Sequence, residues 1–320
     1  MVTGSIPGDA LKMVFFGTPL FAVPSLEALL DSRHAVVAVV SQPDRPKGRG
    51  QQLQPTPTRQ IAESRGVPIV QPAKIRDEAF LDSIRSLRPD LGVVVAFGRI
   101  LPDALLRIPR FGMINVHASL LPKYRGAAPI QRAVLAGDHE TGVTIMRVET
   151  ELDAGPTFAM TTVPIPPEAT SGDMEAALAV EGARLLLPVI ADLAAGRAIE
   201  TPQDHSQATF APKVTKEEGT IDWTATAGTI HNRVRALQPW PLASTTIRGL
   251  RCVIRRAAQA VDVSMAPGMV VRARGDELVV ACGNGTALRI LEIQPDGRRS
   301  MTARDFLAGR GALEGERLGS

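Results

Sequence analysis

The sequence is poor in cysteine and in aromatic residues, and its two cysteines suggest neither a disulfide nor a metal site. Cys252 and Cys282 both lie in apolar stretches typical of strands, without the spacing of metal ligands. They are expected to be buried thiols, and no metal site is predicted. Aromatic residues make up only 4% of the chain, yet a hydrophobic content of 44% is ample for a globular core.

Long hydrophobic runs are also absent. No apolar run reaches the roughly 18 residues that suggest a membrane span, and the N-terminus lacks a basic start followed by an apolar segment. The sequence therefore predicts neither a membrane protein nor a secreted one, and a cytoplasmic location is expected.

The glycines of a dinucleotide-binding fingerprint are missing. The first predicted strand, residues 13–16, is followed by Gly17, but the second and third glycines that let a pyrophosphate approach the backbone are not there. NAD and FAD are therefore not predicted as cofactors.

Two domains are expected because 320 residues exceed one ordinary core. After a disordered start over residues 1–10, strands alternate with helices over residues 11–196, which predicts an α/β domain with a Rossmann-like, mostly parallel sheet. Residues 197–212 have the composition of a linker. Residues 213–320 contain a helix and five short strands, which predicts a smaller, OB-like β-barrel.

The charge is divided unevenly along the chain. From residue 211 onward there are 16 lysines and arginines against 11 acidic residues, whereas the first 210 residues have 20 against 22. A basic second half favours a polyanionic partner such as nucleic acid. The alternative is a solvated surface with a chance imbalance.

One predicted strand carries two polar side chains on the same face. Because side chains alternate along a strand, Asn115 and His117 share one face, while Ile114 and Val116 share the other. Ligands of open α/β sheets bind beyond the carboxyl ends of the strands, so a functional site there would explain the pair. The alternative is that both side chains only cap backbone groups at the strand end.

A third polar residue, Asp153, follows a later strand and stands two residues before a glycine that allows a tight turn. If the two strands are neighbours, a carboxylate there can reach His117, fix its tautomer and stabilise its charged form. Taken alone, Asp153 would be interpreted as a turn residue.

Residues 42–58 form a long stretch rich in proline and glycine that carries three cations, Arg45, Lys47 and Arg49. Loops of this length in compact domains are usually functional or disordered. The segment is predicted to be a mobile arm that folds around phosphates, or else a flexible surface loop.

Several motifs, in order along the chain, resemble those of the formyl-tetrahydrofolate-dependent formyltransferases. They are Asn115-x-His117, Ser119-Leu120-Leu121-Pro122, Arg125-Gly126-Ala127-Ala128-Pro129, Glu140-Thr-Gly-Val-Thr and Leu152-Asp153-x-Gly155. Gly17-Thr-Pro, the segment from Gln42, Ile221-Asp-Trp and Pro239-Trp240-Pro241 are similar to members that act on methionyl-tRNA. The resemblance extends over essentially the whole chain.

The resemblance implies transfer of a formyl group from the co-substrate 10-formyltetrahydrofolate to the α-amino group of methionyl-initiator tRNA. The family's catalytic roles fall on Asn115, His117 and Asp153. Amine attack on a formyl carbon develops an oxyanion, which Asn115 and His117 can stabilise, while Asp153 with His117 accepts the proton of the amine. A covalent formyl-enzyme is disfavoured because neither cysteine lies near these motifs.

By the same resemblance, the folate pocket is formed by Ser119, Leu120, Leu121 and Pro122, with Phe97, Gly98, Ile100 and Leu101 nearby. Arg45, Lys47 and Arg49 become an arm that enters the acceptor-stem region of the tRNA. Further phosphate contacts are expected from some of Lys213, Lys216, Arg233, Arg235, Arg251, Arg255 and Arg256. Two departures from the family pattern are visible: Gln51-Gln52 replaces a pair that is often lysine, and Leu20 stands where an acidic residue is common.

Two other functions share some of these features. A formyltransferase acting on a small amine, such as a glycinamide ribonucleotide or an amino-sugar nucleotide, would use the same Asn, His and Asp. The basic segment at residues 42–59 and the basic second domain favour tRNA instead. A non-catalytic tRNA- or folate-binding module would not need Asn115, His117 and Asp153 together.

The protein is expected to be a monomer.

Overall fold

The computed structural model describes residues 10–47, 52–309 and 311–319, without the side chains of Lys47 and Gln52. The predicted disordered start falls outside the described residues except for Ala10, and the predicted arm residue Arg49 also lies outside them. By their contacts the residues form two compact units. The first contains residues 1–129, 140–164 and 175–211, and the second contains residues 130–139, 165–174 and 212–320.

The first unit contains eleven described strands and four helices of its own. The strands are β1 (Lys12–Gly17), β2 (Ala35–Val40), β3 (Arg45–Lys47), β4 (Gln52–Gln54), β5 (Ile69–Val70), β6 (Leu91–Val95), β7 (Met113–His117), β8 (Arg125–Gly126), β9 (Glu140–Arg147), β10 (Thr157–Pro164) and β11 (Phe210–Ala211). The helices are α1 (Val23–Leu30), α2 (Pro57–Ser64), α3 (Glu78–Leu87) and α4 (Asp103–Leu106). Two more helices, α5 (Pro129–Ala136) and α6 (Ser171–Ala194), contribute residues to both units.

A seven-stranded sheet in the order β10-β9-β7-β6-β1-β2-β5 forms the centre of the first unit. Strands β7, β6, β1, β2 and β5 are parallel, and β9 and β10 extend the sheet with antiparallel pairing. The prediction of a Rossmann-like, mostly parallel sheet is confirmed. Its central strand β6 is buried along its whole length, as expected for an unbroken apolar run covered on both faces.

Helix α3 shows how one face of this sheet is covered. Asp77 caps its first turn by accepting a hydrogen bond from the N–H of Ala79. Phe80 and Ile84, one turn apart, then pack with Phe16 of β1 in a single hydrophobic cluster.

The order of the strands places four chain segments at one edge of the sheet. Strand β1 lies between β2 and β6, so the chain builds the sheet outward from β1 first on one side and then on the other. Such a reversal is where open α/β sheets bind ligands. Because β2, β1, β6 and β7 are parallel, the segments that follow them, including residues 96–101 and 118–122, all begin at this edge.

The second unit contains α7 (Ala227–Ala236), β12 (Ser244–Ile247), β13 (Leu250–Ala260), β14 (Val270–Arg274), β15 (Glu277–Ala281), β16 (Ala287–Pro295), β17 (Met301–Thr302) and α8 (Ala303–Ala308). Its strands form a curled antiparallel sheet in the order β12-β13-β16-β15-β14, with β17 paired to β16. Register shifts in the pairing of β13 with β16, next to Arg256, bend the long strand. The core includes Trp223, Ile230 and both cysteines, which are buried and unpaired.

None of the helices in the described part of the chain is long and apolar enough to cross a membrane.

Candidate active site

The side chains of His117 and Asp153 meet at the carboxyl end of β7. His117 is the last residue of β7, and Asp153 lies in the loop between β9 and β10. His117 Nδ1 is 3.7 Å from Asp153 Oδ2, and the two side chains are only 6% and 15% exposed. β7 and β9 are direct neighbours, with His117 opposite Thr144. The separation is that of an ion pair, and catalytic contacts of this kind often tighten when substrate binds.

The other ring nitrogen of His117 is already engaged. Nε2 lies 3.0 Å from the carbonyl oxygen of Tyr124. A carbonyl oxygen can only accept a hydrogen bond, so this nitrogen carries the hydrogen. Nδ1 is therefore the nitrogen that can gain or lose a proton, and Asp153 Oδ2, 3.7 Å away, is close enough to stabilise the ring when it is charged.

Asn115 stands two residues before His117 on the same face of β7 and is half-buried. Among the described residues, none forms a hydrogen bond with its side-chain amide. The amide N–H groups of Asn115 are therefore available to a ligand near His117.

The two loops beside His117 and Asp153 each contain a residue in the left-handed region of backbone conformation. Tyr124 has a φ of 61° and Asp153 a φ of 50°, conformations that cost a non-glycine residue of order 1–2 kcal/mol. Asp153 Oδ2 accepts a hydrogen bond of 2.8 Å from the N–H of Gly126. At Gly155 a Cβ atom would collide with the carbonyl oxygen of Arg147, so the turn after Asp153 requires glycine. These contacts fix the carboxylate on the His117 side.

A buried arginine and a buried glutamine lie behind the Asp153 loop. Arg125 is 2% exposed, and its Nη2 donates to Gln203 Oε1 at 2.8 Å. Gln203 Nε2 in turn donates to the carbonyl oxygens of Asp153 and Gly155, at 2.9 and 2.7 Å. Arg125 belongs to a motif of the sequence, whereas Gln203 was not predicted as a site residue. No pattern singles it out, because residues 197–212 show no periodicity and its burial arises from tertiary contacts.

The predicted folate residues that follow β6 divide into buried and exposed members. Phe97 and Leu101 are buried in the core, where the Phe97 ring packs edge-on against Phe16 at 5.7 Å between centroids. Gly98 and Ile100 are exposed, Ile100 by 74%. Their surfaces are the ones that a ligand at this edge can contact.

The predicted folate residues that follow β7 also differ in their surroundings. Ser119 is fully buried, and its hydroxyl donates to the carbonyl oxygen of Lys123 at 2.6 Å. Leu121 is buried as well, whereas Leu120 and Pro122 are half-buried. Since β6 and β7 are parallel neighbours, residues 119–122 begin beside residues 97–101.

The basic segment after β2 contains a hairpin in which β3 pairs with β4, Arg45 opposite Gln54. Its base is anchored by Asp44, whose carboxylate accepts hydrogen bonds from Arg59 at 2.5 Å and from Gln71 at 2.8 Å. Arg45 is exposed. Lys47 lies in β3, and its side chain, like the whole of Arg49, is outside the described residues.

The seven basic residues named for the second domain differ in how their charge is compensated. Arg251 pairs with Asp296 at 3.2 Å and Arg256 with Glu292 at 3.0 Å. Arg233, Arg235 and Arg255 donate to carbonyl or amide oxygens, and Arg235 is only 7% exposed. Lys213 and Lys216 are exposed, and neither forms an ion pair with a described residue.

Both domains of the chain match known protein families. Residues 11–190 match the Formyl transferase family, and residues 213–311 match its C-terminal domain. The chain is 49% identical to the methionyl-tRNA formyltransferase of Methylococcus capsulatus, over 97% of this chain and 100% of that one. The identity to the enzyme of that name from Halalkalibacterium halodurans is 46%, over 94% and 96%.

Solved structures share the fold at much lower identity. The N-formyltransferase of Helicobacter canadensis, determined with folinic acid and dTDP-3-aminofucose, superposes with a TM-score of 0.67 at 18% identity, covering 89% of this chain and 99% of that one. The match in both domains, with identity of nearly half along the full length, shows that the chain belongs to the formyl transferase family.

Proposed function

We propose that this protein transfers the formyl group of 10-formyltetrahydrofolate to the α-amino group of initiator methionyl-tRNA, which prepares that tRNA for translation initiation. The observation that carries the proposal is the 49% identity, along both domains, with a curated protein named for this activity. The meeting of His117 and Asp153 supports it, because amine acylation requires a group that moves a proton beside the formyl carbon.

Asn115 is proposed to stabilise the oxyanion. As the amine attacks, the formyl oxygen gains negative charge, and an N–H donor already held near it lowers the barrier. The Asn115 amide suits this role because it is half-buried and makes no hydrogen bond with a described residue. His117 Nδ1–H is a second donor when that nitrogen is protonated.

His117 and Asp153 are proposed to move the proton of the reaction. The amine nitrogen forms a bond to the formyl carbon and loses a proton, the bond from that carbon to N10 of the folate breaks, and N10 takes up a proton. Nδ1 can accept the first proton and return it to N10, so the reaction needs no external acid or base. The Asp153 carboxylate stabilises the charged ring in between.

The folate is proposed to lie at the edge formed by the segments after β6 and β7, where all eight predicted residues are found. Gly98, Ile100, Leu120 and Pro122 offer exposed or half-exposed surface to it. Phe97, Leu101, Ser119 and Leu121 are buried and are proposed to shape the pocket from behind.

Contacts with tRNA are proposed at two places. One is the arm with Arg45, Lys47 and Arg49, which follows β2 at the same edge of the sheet as the folate segments. The other is Lys213 and Lys216, which are exposed and form no ion pair with a described residue, and so suit phosphate contacts better than the ion-paired Arg251 and Arg256.

We propose a catalytic domain at residues 11–196, a linker at 197–212 and a tRNA-binding domain at 213–320 whose curled sheet is OB-like. A monomer is sufficient for the reaction, because the three proposed catalytic residues come from one chain. The cytoplasm is the proposed location, since translation initiation takes place there.

In the deciding experiment, the protein is incubated with 10-formyltetrahydrofolate labelled in its formyl group, and methionyl-tRNA and small amines compete as acceptors. We expect the label on the α-amino group of methionyl-initiator tRNA, and uncharged tRNA should inhibit as a competitor. Label recovered on a glycinamide ribonucleotide or an amino sugar, with none on the tRNA, would replace this function by a small-amine formyltransferase. No transfer to any amine would leave a binding module.

A further inference from the structure

We propose that Gln203 is a positioning residue for the reaction, because its amide, held by the buried Arg125, fixes the loop that presents Asp153 to His117. The inference rests on the proposed function, since it assigns Gln203 a role in formyl transfer through Asp153. Gln203 belongs to a segment that sequence analysis interprets as a linker.

Arg125 is a buried cation that depends on Gln203 for its hydrogen bonds. Arg125 is 2% exposed, so its guanidinium must find acceptors within the protein. Nε and Nη2 both donate to Gln203 Oε1, at 3.2 and 2.8 Å. The other partners lie farther away: Glu151 Oε1 at 3.5 Å, on a side chain that is 68% exposed, and His205 Nδ1 at 3.4 Å. Gln203 is therefore the main acceptor for this cation.

The hydrogen bonds from Arg125 fix the orientation of the Gln203 amide. With Oε1 turned to the guanidinium, Nε2 must point the other way, towards the Asp153 loop. Its two hydrogens go to the carbonyl oxygens of Asp153 and Gly155, at 2.9 and 2.7 Å. Those two carbonyls flank the turn in which Asp153 has a φ of 50°, so the amide holds the turn at the residue where its backbone is strained.

The same segment of chain also holds the loop beside His117. The N–H of Arg125 donates to the carbonyl oxygen of Thr209 at 2.8 Å. The N–H of Tyr124 donates to the Thr209 hydroxyl oxygen, also at 2.8 Å. Tyr124 is the residue whose carbonyl accepts from His117 Nε2. Residues 203–209 thus contact both loops that hold the imidazole and the carboxylate together.

Loss of the Gln203 amide is expected to slow the chemical step. Gln203 is buried and reaches the reaction only through the backbone of Asp153, so its loss should leave the binding of both substrates intact. Without the two hydrogen bonds the turn can relax, and the carboxylate no longer faces Nδ1. A displacement of about 1 Å in a catalytic group can reduce the rate by about 100-fold.

The test uses two substitutions that separate the interaction of Gln203 with Arg125 from its interaction with the Asp153 loop. Gln203→Glu keeps an acceptor for Arg125 but turns an oxygen, instead of a donor, towards the carbonyls of Asp153 and Gly155. Gln203→Met removes both interactions without adding charge. For both variants we expect kcat to fall by at least about tenfold, with KM for folate and for methionyl-tRNA within about twofold of the unchanged protein. Gln203→Glu should lower the melting temperature less than Gln203→Met, because Arg125 keeps an acceptor.

A matched control is Gln207→Glu, in the same segment. Gln207 is exposed, and within the described part of the chain its side chain donates only to Asp204, so kcat of this variant should not change. The inference is overturned if either Gln203 variant keeps a kcat within about twofold of the unchanged protein, or if its loss of activity only matches a loss of folded protein.

Asp153→Asn, assayed beside these variants, separates this inference from the proposed function. An active Asp153→Asn protein removes the proposed catalytic role of that carboxylate, whatever the Gln203 variants do. An inactive Asp153→Asn protein together with fully active Gln203 variants leaves the proposed function standing and overturns only the role of Gln203.

Discussion

At the candidate site, one nitrogen of the imidazole is committed to a backbone carbonyl and the other faces a carboxylate. The 3.0 Å contact from His117 Nε2 to Tyr124 fixes the ring, so that only Nδ1 can exchange a proton beside Asp153. This division of labour resembles that of an acid–base pair in which a carboxylate orients a histidine and stabilises its charged form. We therefore expect the proposed chemistry to depend on the charge of Asp153 more than on its shape.

Asp153→Asn tests that dependence. The asparagine keeps an oxygen that can accept from the N–H of Gly126, so the fold should be preserved. Since the carboxylate charge is lost, we expect kcat to fall by at least about 100-fold. Single-turnover formyl transfer to methionyl-tRNA measures the effect, with Asp31→Asn, an exposed aspartate of the first unit, as control. A kcat near that of the unchanged protein would contradict the catalytic assignment.

The sequence singles out the proposed catalytic residues more readily than the residues that hold them in place. Asn115, His117 and Asp153 are polar residues at a strand end and in a turn, and they belong to recognisable motifs. Gln203 has no such signal. Its proposed role rests on its position, 8% exposed between Arg125 and the Asp153 loop, a contact made across 50 residues of chain.

Among the elements, the strands of the parallel sheet were predictable because burial on both faces requires unbroken apolar runs. Strands β3, β4, β8 and β11 have two or three residues each, too few for any periodicity, and were not predicted. These strands form because they pair with other short strands. For example, β8 pairs with β11, which lies more than 80 residues later in the chain. The segment predicted as a mobile arm therefore contains a hairpin that sequence alone did not indicate.

The base of that hairpin suggests a prediction for tRNA binding. Asp44→Ala removes the acceptor of Arg59 and Gln71, and so releases the hairpin from its anchor. Hydrogen bonds to a charged group contribute about 1.5–3 kcal/mol each, so we expect KM for methionyl-tRNA to rise by roughly tenfold. KM for the folate should stay the same.

The control for Asp44 is Asp31→Ala, which breaks an exposed ion pair with Arg65 of 2.7 Å and should have little effect. An unchanged KM for tRNA in Asp44→Ala would show that the position of the hairpin does not matter. Arg49→Ala, outside the described residues, tests the same arm through its charge: tRNA use should weaken and folate binding should not.

A carboxyl group in the second unit gives a prediction for stability against pH. Glu218 receives two hydrogen bonds from Arg132, at 2.6 and 3.0 Å. These bonds from Arg132 lower the pKa of Glu218 below its ordinary value of 4.5. A lowered pKa in the folded state stabilises the fold above pH 4.5, and this contribution is lost as the pH falls through the folded value.

We therefore expect Glu218→Gln to lower the melting temperature at pH 7 and to flatten its decrease below pH 4.5. Thermal unfolding followed from pH 7 downward is the measurement. Glu277→Gln is the control, because its pair with Arg272 is more exposed and should contribute little. Parallel curves for the Glu218 variant and the unchanged protein would contradict the prediction.

On the scale of the whole molecule, the cations of the basic second half divide into those that form ion pairs and those that do not. Several arginines in the basic second half are neutralised by neighbours, such as Arg251 by Asp296 and Arg256 by Glu292. Their positive charge contributes little to an external field. The charge that remains for a polyanion is carried by exposed residues without an ion pair among the described residues, including Lys213 and Lys216.

This distinction predicts how tRNA binding should respond to salt. Each phosphate neutralised by a cation releases counterions, so the logarithm of the binding constant falls with the logarithm of salt concentration, with a slope of about −0.9 per contact. Lys213→Ala and Lys216→Ala should each weaken binding and make the slope shallower by about one unit. Arg251→Ala, which removes an ion-paired cation, should change the slope much less. Filter binding of initiator tRNA between about 50 and 200 mM salt measures the slope for all three variants. If the slope is unchanged for both lysine variants, Lys213 and Lys216 do not belong to the tRNA interface.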